Sequence, residues 1–120
     1  MVSKSTHIKF PIHDHGQDTV RLLESMPSQE TFDRVSDTFQ LISNNTRLKI
    51  LWLLCHSEEC VTNIAAAIEM SAPAVSHHLR VLKQSGLIRS RRIGKETHYS
   101  LSDTQDAVLV HTIIDNFLGQ

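Results

Sequence analysis

Phe32, Val35, Phe39 and Ile42 recur at helical spacing, with Arg34, Asp37 and Gln40 on the other side. That period predicts an amphipathic helix from Thr31 onward. Ser43-Asn44-Asn45 should end it and cap a second helix, in which Leu48, Ile50, Leu51, Trp52, Leu53 and Leu54 are almost continuously apolar. A helix apolar nearly all round is a buried one, so this segment predicts the centre of the core. His56-Ser57-Glu58-Glu59 reads as a polar break. Val61, Ile64, Ala65 and Ile68 then line one face of a third helix, with Thr62 as the expected cap. Ser71-Ala72-Pro73-Ala74 is a strong helix start, with Ser at the cap and Pro in the first turn. The helix it opens turns Val75, Leu79 and Leu82 inward and ends at Ser85-Gly86.

The period then changes. Residues 87–92 and 97–101 are short, β-prone alternating runs joined by Ile93-Gly94-Lys95-Glu96, which predicts a hairpin with Gly94 free to take a positive φ. After Ser102-Asp103 a last amphipathic helix carries Val108, Leu109, Ile113, Ile114, Phe117 and Leu118. The predicted fold is mainly α with a small β-hairpin, in the order of a winged helix-turn-helix. Residues 1–30 lack sustained periodicity and contain Pro11, Gly16 and Pro27. They read as a mobile N-terminal arm, with a helical turn or two from Asp18 to Met26, ahead of a single domain at 31–120.

A length of 120 residues fits one core. No apolar run approaches the roughly 20 residues of a membrane helix. No apolar stretch follows Lys4 and Lys9, so no leader is read, and two cysteines make no disulfide framework. A cytoplasmic protein is expected.

The net charge of −1 conceals a segregation. Residues 71–100 carry six bases against the single acid Glu96, whereas residues 1–70 carry nine acids to six bases. Positive potential is therefore focused on the segment that reads as helix plus hairpin. An α-helix fits the major groove, with its N-terminal residues at base edges and its flanks at phosphates. Ala72, Ala74 and Ser76 are small enough for close approach. Ala74, Ser76, His77, Arg80 and Lys83 are candidate DNA contacts on the helix, and Arg91, Arg92 and Lys95 on the hairpin. His77 reads equally as a surface residue or a DNA contact; for His78 the surface reading is preferred.

The run Ser71-Ala72-Pro73-Ala74-Val75-Ser76-His77-His78-Leu79-Arg80-Val81-Leu82-Lys83-Gln84-Ser85-Gly86-Leu87-Ile88 resembles the helix-turn-helix signature of ArsR/SmtB repressors. Upstream, Asn44-Asn45-Thr46-Arg47-Leu48-Lys49-Ile50-Leu51 is similar to the opening of that family's domain. Downstream, Arg91-Arg92-Ile93-Gly94-Lys95-Glu96-Thr97-His98-Tyr99-Ser100-Leu101 is like its wing. The resemblance spans about residues 32–118. It implies a homodimer joined through its first and last helices, bound to double-stranded operator DNA of two-fold symmetry and released by an effector. The apolar faces of Phe32/Val35/Phe39 and Val108/Ile113/Phe117 suit such an interface, although core packing would leave the same pattern.

Metals are the family's usual effectors. The last-helix metal site of the family falls on Asp103, Gln105, Asn116 and Gly119, of which only the Asp is a ligand. His111 and Asp115 read as a surface pair. At the family's other site a Cys-x-Cys is replaced by Cys60-Val61-Thr62. Cys60 with His13 and His15 of the arm would make a mixed nitrogen and sulfur donor set for Zn(II) or another transition metal. A thiol switch through Cys55 and Cys60 is the alternative, and a winged helix used only for protein contact is a further one. Nothing resembles a nucleophile motif, an oxyanion loop or a glycine-rich phosphate loop, so no enzyme is expected.

Overall fold

The computed structural model describes His13 and residues 18–119, and divides the chain into two units between Ser36 and Asp37. In the first unit, α1 (Thr19–Glu24) buries no side chain. The next helix, α2 (Gln29–Ile42), begins in the first unit and ends in the second. It starts two residues ahead of the predicted Thr31. The Ser28 hydroxyl accepts a hydrogen bond from the Thr31 N–H at 3.2 Å, an N-cap arrangement that the apolar period alone does not mark.

The second unit continues with α3 (Asn45–His56), β1 (Glu59–Cys60), α4 (Val61–Ile68), α5 (Ala72–Gln84), β2 (Ile88–Ile93), β3 (Glu96–Leu101) and α6 (Gln105–Leu118). As predicted, α3 sits at the centre: Ile50 and Leu51 are wholly inaccessible, and Leu54 nearly so. The Asn44 side chain caps it by accepting from the Arg47 N–H at 3.0 Å. Ile64 of α4, Val75, Leu79 and Leu82 of α5, and Val110 and Ile114 of α6 join it in one buried cluster. Among the described residues no helix is long and apolar enough to cross a membrane.

Three local expectations are corrected. Thr62 is not the cap of α4, because the helix has already begun at Val61 and its N-cap is Cys60. The cause is β1, which lies in the segment read as a polar break and runs directly into the helix. The wing is accordingly a three-stranded antiparallel sheet of order β1-β3-β2 rather than a hairpin alone. Glu59 faces Tyr99 and Cys60 faces His98. The hairpin is also tighter than predicted, since Ile93 and Glu96 still pair and only Gly94 and Lys95 form the turn. Gly94 takes φ +62° at the first turn position, where a two-residue hairpin favours glycine.

The helix-turn-helix is fixed at both ends of its second helix. The Ser71 hydroxyl accepts from the Ala74 N–H at 3.3 Å, with Pro73 in the first turn, as the sequence predicts. At the other end Leu87 N–H donates to the Leu82 carbonyl, and Thr104 ties the start of α6 back to Gly86 through a 3.1 Å hydrogen bond. Glu69 closes α4 in the left-handed region at φ 58°, turning the chain within three residues into α5.

Candidate nucleic-acid interface

On α5 the buried stripe of Val75, Leu79 and Leu82 leaves a second stripe outside. His77, Arg80 and Lys83 are exposed, and Ala74 and Ser76 are half-buried beside them. Small residues in the first turns and cations further along suit close approach to a polyanion. His78 differs from its neighbour. Its ring meets that of His77 edge-on at 5.6 Å and is half-buried. Burial first, then the fields of Arg47 and His77, hold its imidazole below the ordinary histidine range. His77, by contrast, stands exposed on the outer stripe.

On the wing Arg91, Arg92 and Lys95 are all exposed, but they are not equivalent. Arg91 donates from Nε to Glu58 Oε2 at 2.8 Å and from Nη2 to Glu58 Oε1 at 2.6 Å. That two-point bond holds the Glu58 carboxyl below the usual carboxylate range, with the fields of Arg91, His98 and Arg89 acting the same way and burial opposing. Arg89 lies 3.9 Å from Asp103, with both side chains largely in solvent, so that pair contributes little. Among the described residues no ion pair engages Arg80, Lys83, Arg92 or Lys95. A polar hollow of about 420 Å³ lies on this face, lined by Glu58, Arg89, Ser90, Arg91 and Ser100.

Glu58 and Arg47 are the residues that sequence reasoning passed over as site candidates. Glu58 stood in an apparent polar break, with nothing local to point 33 positions ahead to Arg91. Arg47 Nε is buried without a hydrogen-bond partner among the described residues, as is His78 Nδ1.

The candidate sensor residues are less well defined. Cys60 is buried at the end of β1, His13 is exposed, and His15 lies outside the described residues. Among the described residues no three His, Cys, Asp or Glu side chains cluster to hold a metal ion. His111 and Asp115 form the expected surface pair, 3.4 Å apart one helical turn from each other. Cys55 and Cys60 are both free thiols. Burial, aided by the Asp115 carboxylate, pushes the Cys55 thiol up to about 11. Since the thiolate is the reactive form, Cys55 is protected at neutral pH. In a Cys60→Ser protein, alkylation of Cys55 by short iodoacetamide pulses should quicken about tenfold per pH unit until near pH 11. Levelling at about 8.5, as for a free cysteine, would refute that protection.

Apolar side chains of α2 and α6 resolve the ambiguity between core and interface. Phe32, Val35, Phe39, Val108 and Phe117 are exposed, with Phe117 at 83% and Val108 at 55%, as are Leu109 and Leu118. Ile113 alone of the predicted interface set packs against the core. Exposed apolar side chains on each of these helices are available to a partner.

Comparison with known proteins agrees with this geometry. Residues 44–90 match the family model described as bacterial regulatory protein, arsR family. A cadmium resistance transcriptional regulatory protein CadC homolog from Staphylococcus aureus is 37% identical over 97 residues, covering 80% of this chain and 79% of that one. The transcriptional repressor BigR from Xylella fastidiosa superposes with a TM-score of 0.70 at 27% identity, over 77% of this chain and 91% of that one. A homodimeric winged helix-turn-helix DNA-binding domain from Mycobacterium bovis does so with a TM-score of 0.64 at 28% identity, over 78% and 90%. A capped helix-turn-helix, an antiparallel wing and identity of this extent over four-fifths of a relative lead to one assignment: the chain belongs to the ArsR family of bacterial regulatory proteins, winged helix-turn-helix transcriptional repressors rather than enzymes.

Proposed function

We propose that the protein is a homodimeric, cytoplasmic repressor that sets α5 in the major groove of operator DNA and its wing on neighbouring phosphates, and that an effector releases it. The observation that carries this reading is the outward stripe of Ser76, His77, Arg80 and Lys83, on a helix packed directly against the basic strand β2. A winged helix used only for protein contact gives no reason for those cations to stay unpaired. The exposed apolar side chains of α2 and α6 support pairing of two copies, as does the homodimeric relative from Mycobacterium bovis.

For the effector we favour a transition metal ion, Zn(II) first. The cadmium resistance regulator among the relatives supports a metal, and Cys60 supplies a soft donor at the start of α4. The second unit by itself does not make a site, because zinc takes four ligands and no three donors cluster among the described residues. The reading therefore needs His13 and His15, which with Cys60 give two nitrogens and one sulfur. The thiol-switch alternative is weakened by the protected state of Cys55.

The test is a titration of chelated, reduced protein into a duplex from its own promoter region, repeated with Zn(II). Nanomolar binding that zinc abolishes in wild type, but not in Cys60→Ser, is the expected result. Binding indifferent to zinc would discard the metal site and keep the DNA assignment. Failure to bind any duplex would overturn the DNA-binding reading itself.

A further inference from the structure

The wing holds an ion pair that sorts its cations into two kinds. Glu58 precedes β1, and Arg91 lies on β2, with β3 between the two strands. The register carries Glu59 to Tyr99 and Tyr99 to Ser90, and Glu58 reaches diagonally across the central strand to meet Arg91. There both carboxylate oxygens are occupied by Nε and Nη2 at 2.8 and 2.6 Å. Paired bonds between planar guanidinium and carboxylate are the most geometrically specific of the charge-assisted kind.

We propose that Glu58 is a positioning residue of the DNA-binding surface: it holds Arg91 against the α3–β1 turn and so removes that guanidinium from the set of phosphate contacts. The wing's grip on DNA is then left to Arg92 and Lys95. A phosphate that took Arg91 would have to displace two charge-assisted hydrogen bonds to make its own. It would also leave beside itself a carboxylate that has lost its partner and repels it. Neither consequence favours exchange. Arg92, the next residue on β2, points to the other face by strand alternation, and among the described residues it has no acid to give up. The pair as a unit is neutral, so it releases no counterion when DNA binds. Arg91 thus serves the wing's shape, and Glu58 sets how much positive charge the wing presents.

This inference rests on the DNA-binding reading, and its test separates the two. Affinity for a non-operator duplex is measured against salt for wild type, Arg91→Ala, Arg92→Ala, Glu58→Gln and the Glu58→Gln/Arg91→Ala double variant, each checked for fold by circular dichroism. Each lost phosphate contact lowers the slope of log K against log salt by about 0.9 per protomer, or about 3.5-fold in affinity across a fourfold change in salt. Arg92→Ala should show that loss, whereas Arg91→Ala should keep the wild-type slope. Glu58→Gln should steepen the slope by a similar amount, and the double variant should return it to wild type. A steeper slope is a result that mere loosening of the wing cannot produce. Arg91→Ala flattening the slope as much as Arg92→Ala would overturn the proposal, with no need for the Glu58 variants to fold. Absence of wild-type binding to any duplex would instead fail the reading beneath it.

Discussion

Leu79→Ala should lower the melting temperature by roughly 12–24 °C, measured by calorimetry at fixed protomer concentration. Leu79 is 1% exposed on the inner stripe of α5, where it joins the helix-turn-helix to the core around α3. Truncating a buried leucine costs about 2–5 kcal/mol, the spread reflecting how far the site collapses around the cavity. At about 3 kcal/mol the loss is a large part of the roughly 5–15 kcal/mol that holds a domain folded. The temperature shift follows from about 4–8 °C per kcal/mol in a domain of this size. Because Leu79 shares a helix with the proposed base-reading residues, operator affinity should fall with stability on warming. A shift below about 4 °C would mean that α5 does not depend on this contact.

Arg80→Ala should do the opposite: leave stability alone and remove specificity. Arg80 is exposed, on the same side of α5 as Ser76 and Lys83, and among the described residues no carboxylate competes for it. Loss of a good base contact costs about 1–3 kcal/mol, which is roughly 5–150-fold on the operator. The same variant should weaken binding to a scrambled duplex far less, and its melting temperature should stay within about 2 °C of wild type. The discriminating measurement is the ratio of operator to scrambled affinity in wild type and variant at one salt concentration. An unchanged ratio would move Arg80 from base reading to phosphate contact. A wild-type ratio near one would remove sequence specificity from the proposed function.

These expectations draw on parts of the molecule that were unequally legible in the chain. The caps at Asn44 and Ser71 could be read directly, because each lies within three residues of its partner and the bond is local, whereas the expected cap at Thr62 was displaced by β1. The inward stripe of α5 was equally plain from its period. In α6 the same kind of period was less informative. Val108, Leu109 and Phe117 are as apolar as Val110 and Ile114, yet the first three are exposed and the last two buried. Apolar spacing identifies residues that avoid water; it does not say whether the cover is the chain's own core or a partner.

What the sequence determined by itself was the order of the helices from α2 onward and of the hairpin, the basic helix with its cap and breaker, the hairpin turn at Gly94, and the concentration of cations between residues 71 and 100. Each is a short-range property, set by backbone preference, by a period of two or 3.6, or by composition within one segment. Tertiary structure alone decided the third strand, the start of α4 at Val61, the exposed apolar faces and the capture of Arg91 by Glu58. A two-residue strand has no period to detect, and β1 exists because β3, some 40 residues later, supplies its hydrogen bonds. An ion pair 33 residues apart is likewise invisible until the sheet brings its halves together. Local forces thus wrote the parts list, and long-range pairing decided which charges the wing is free to use.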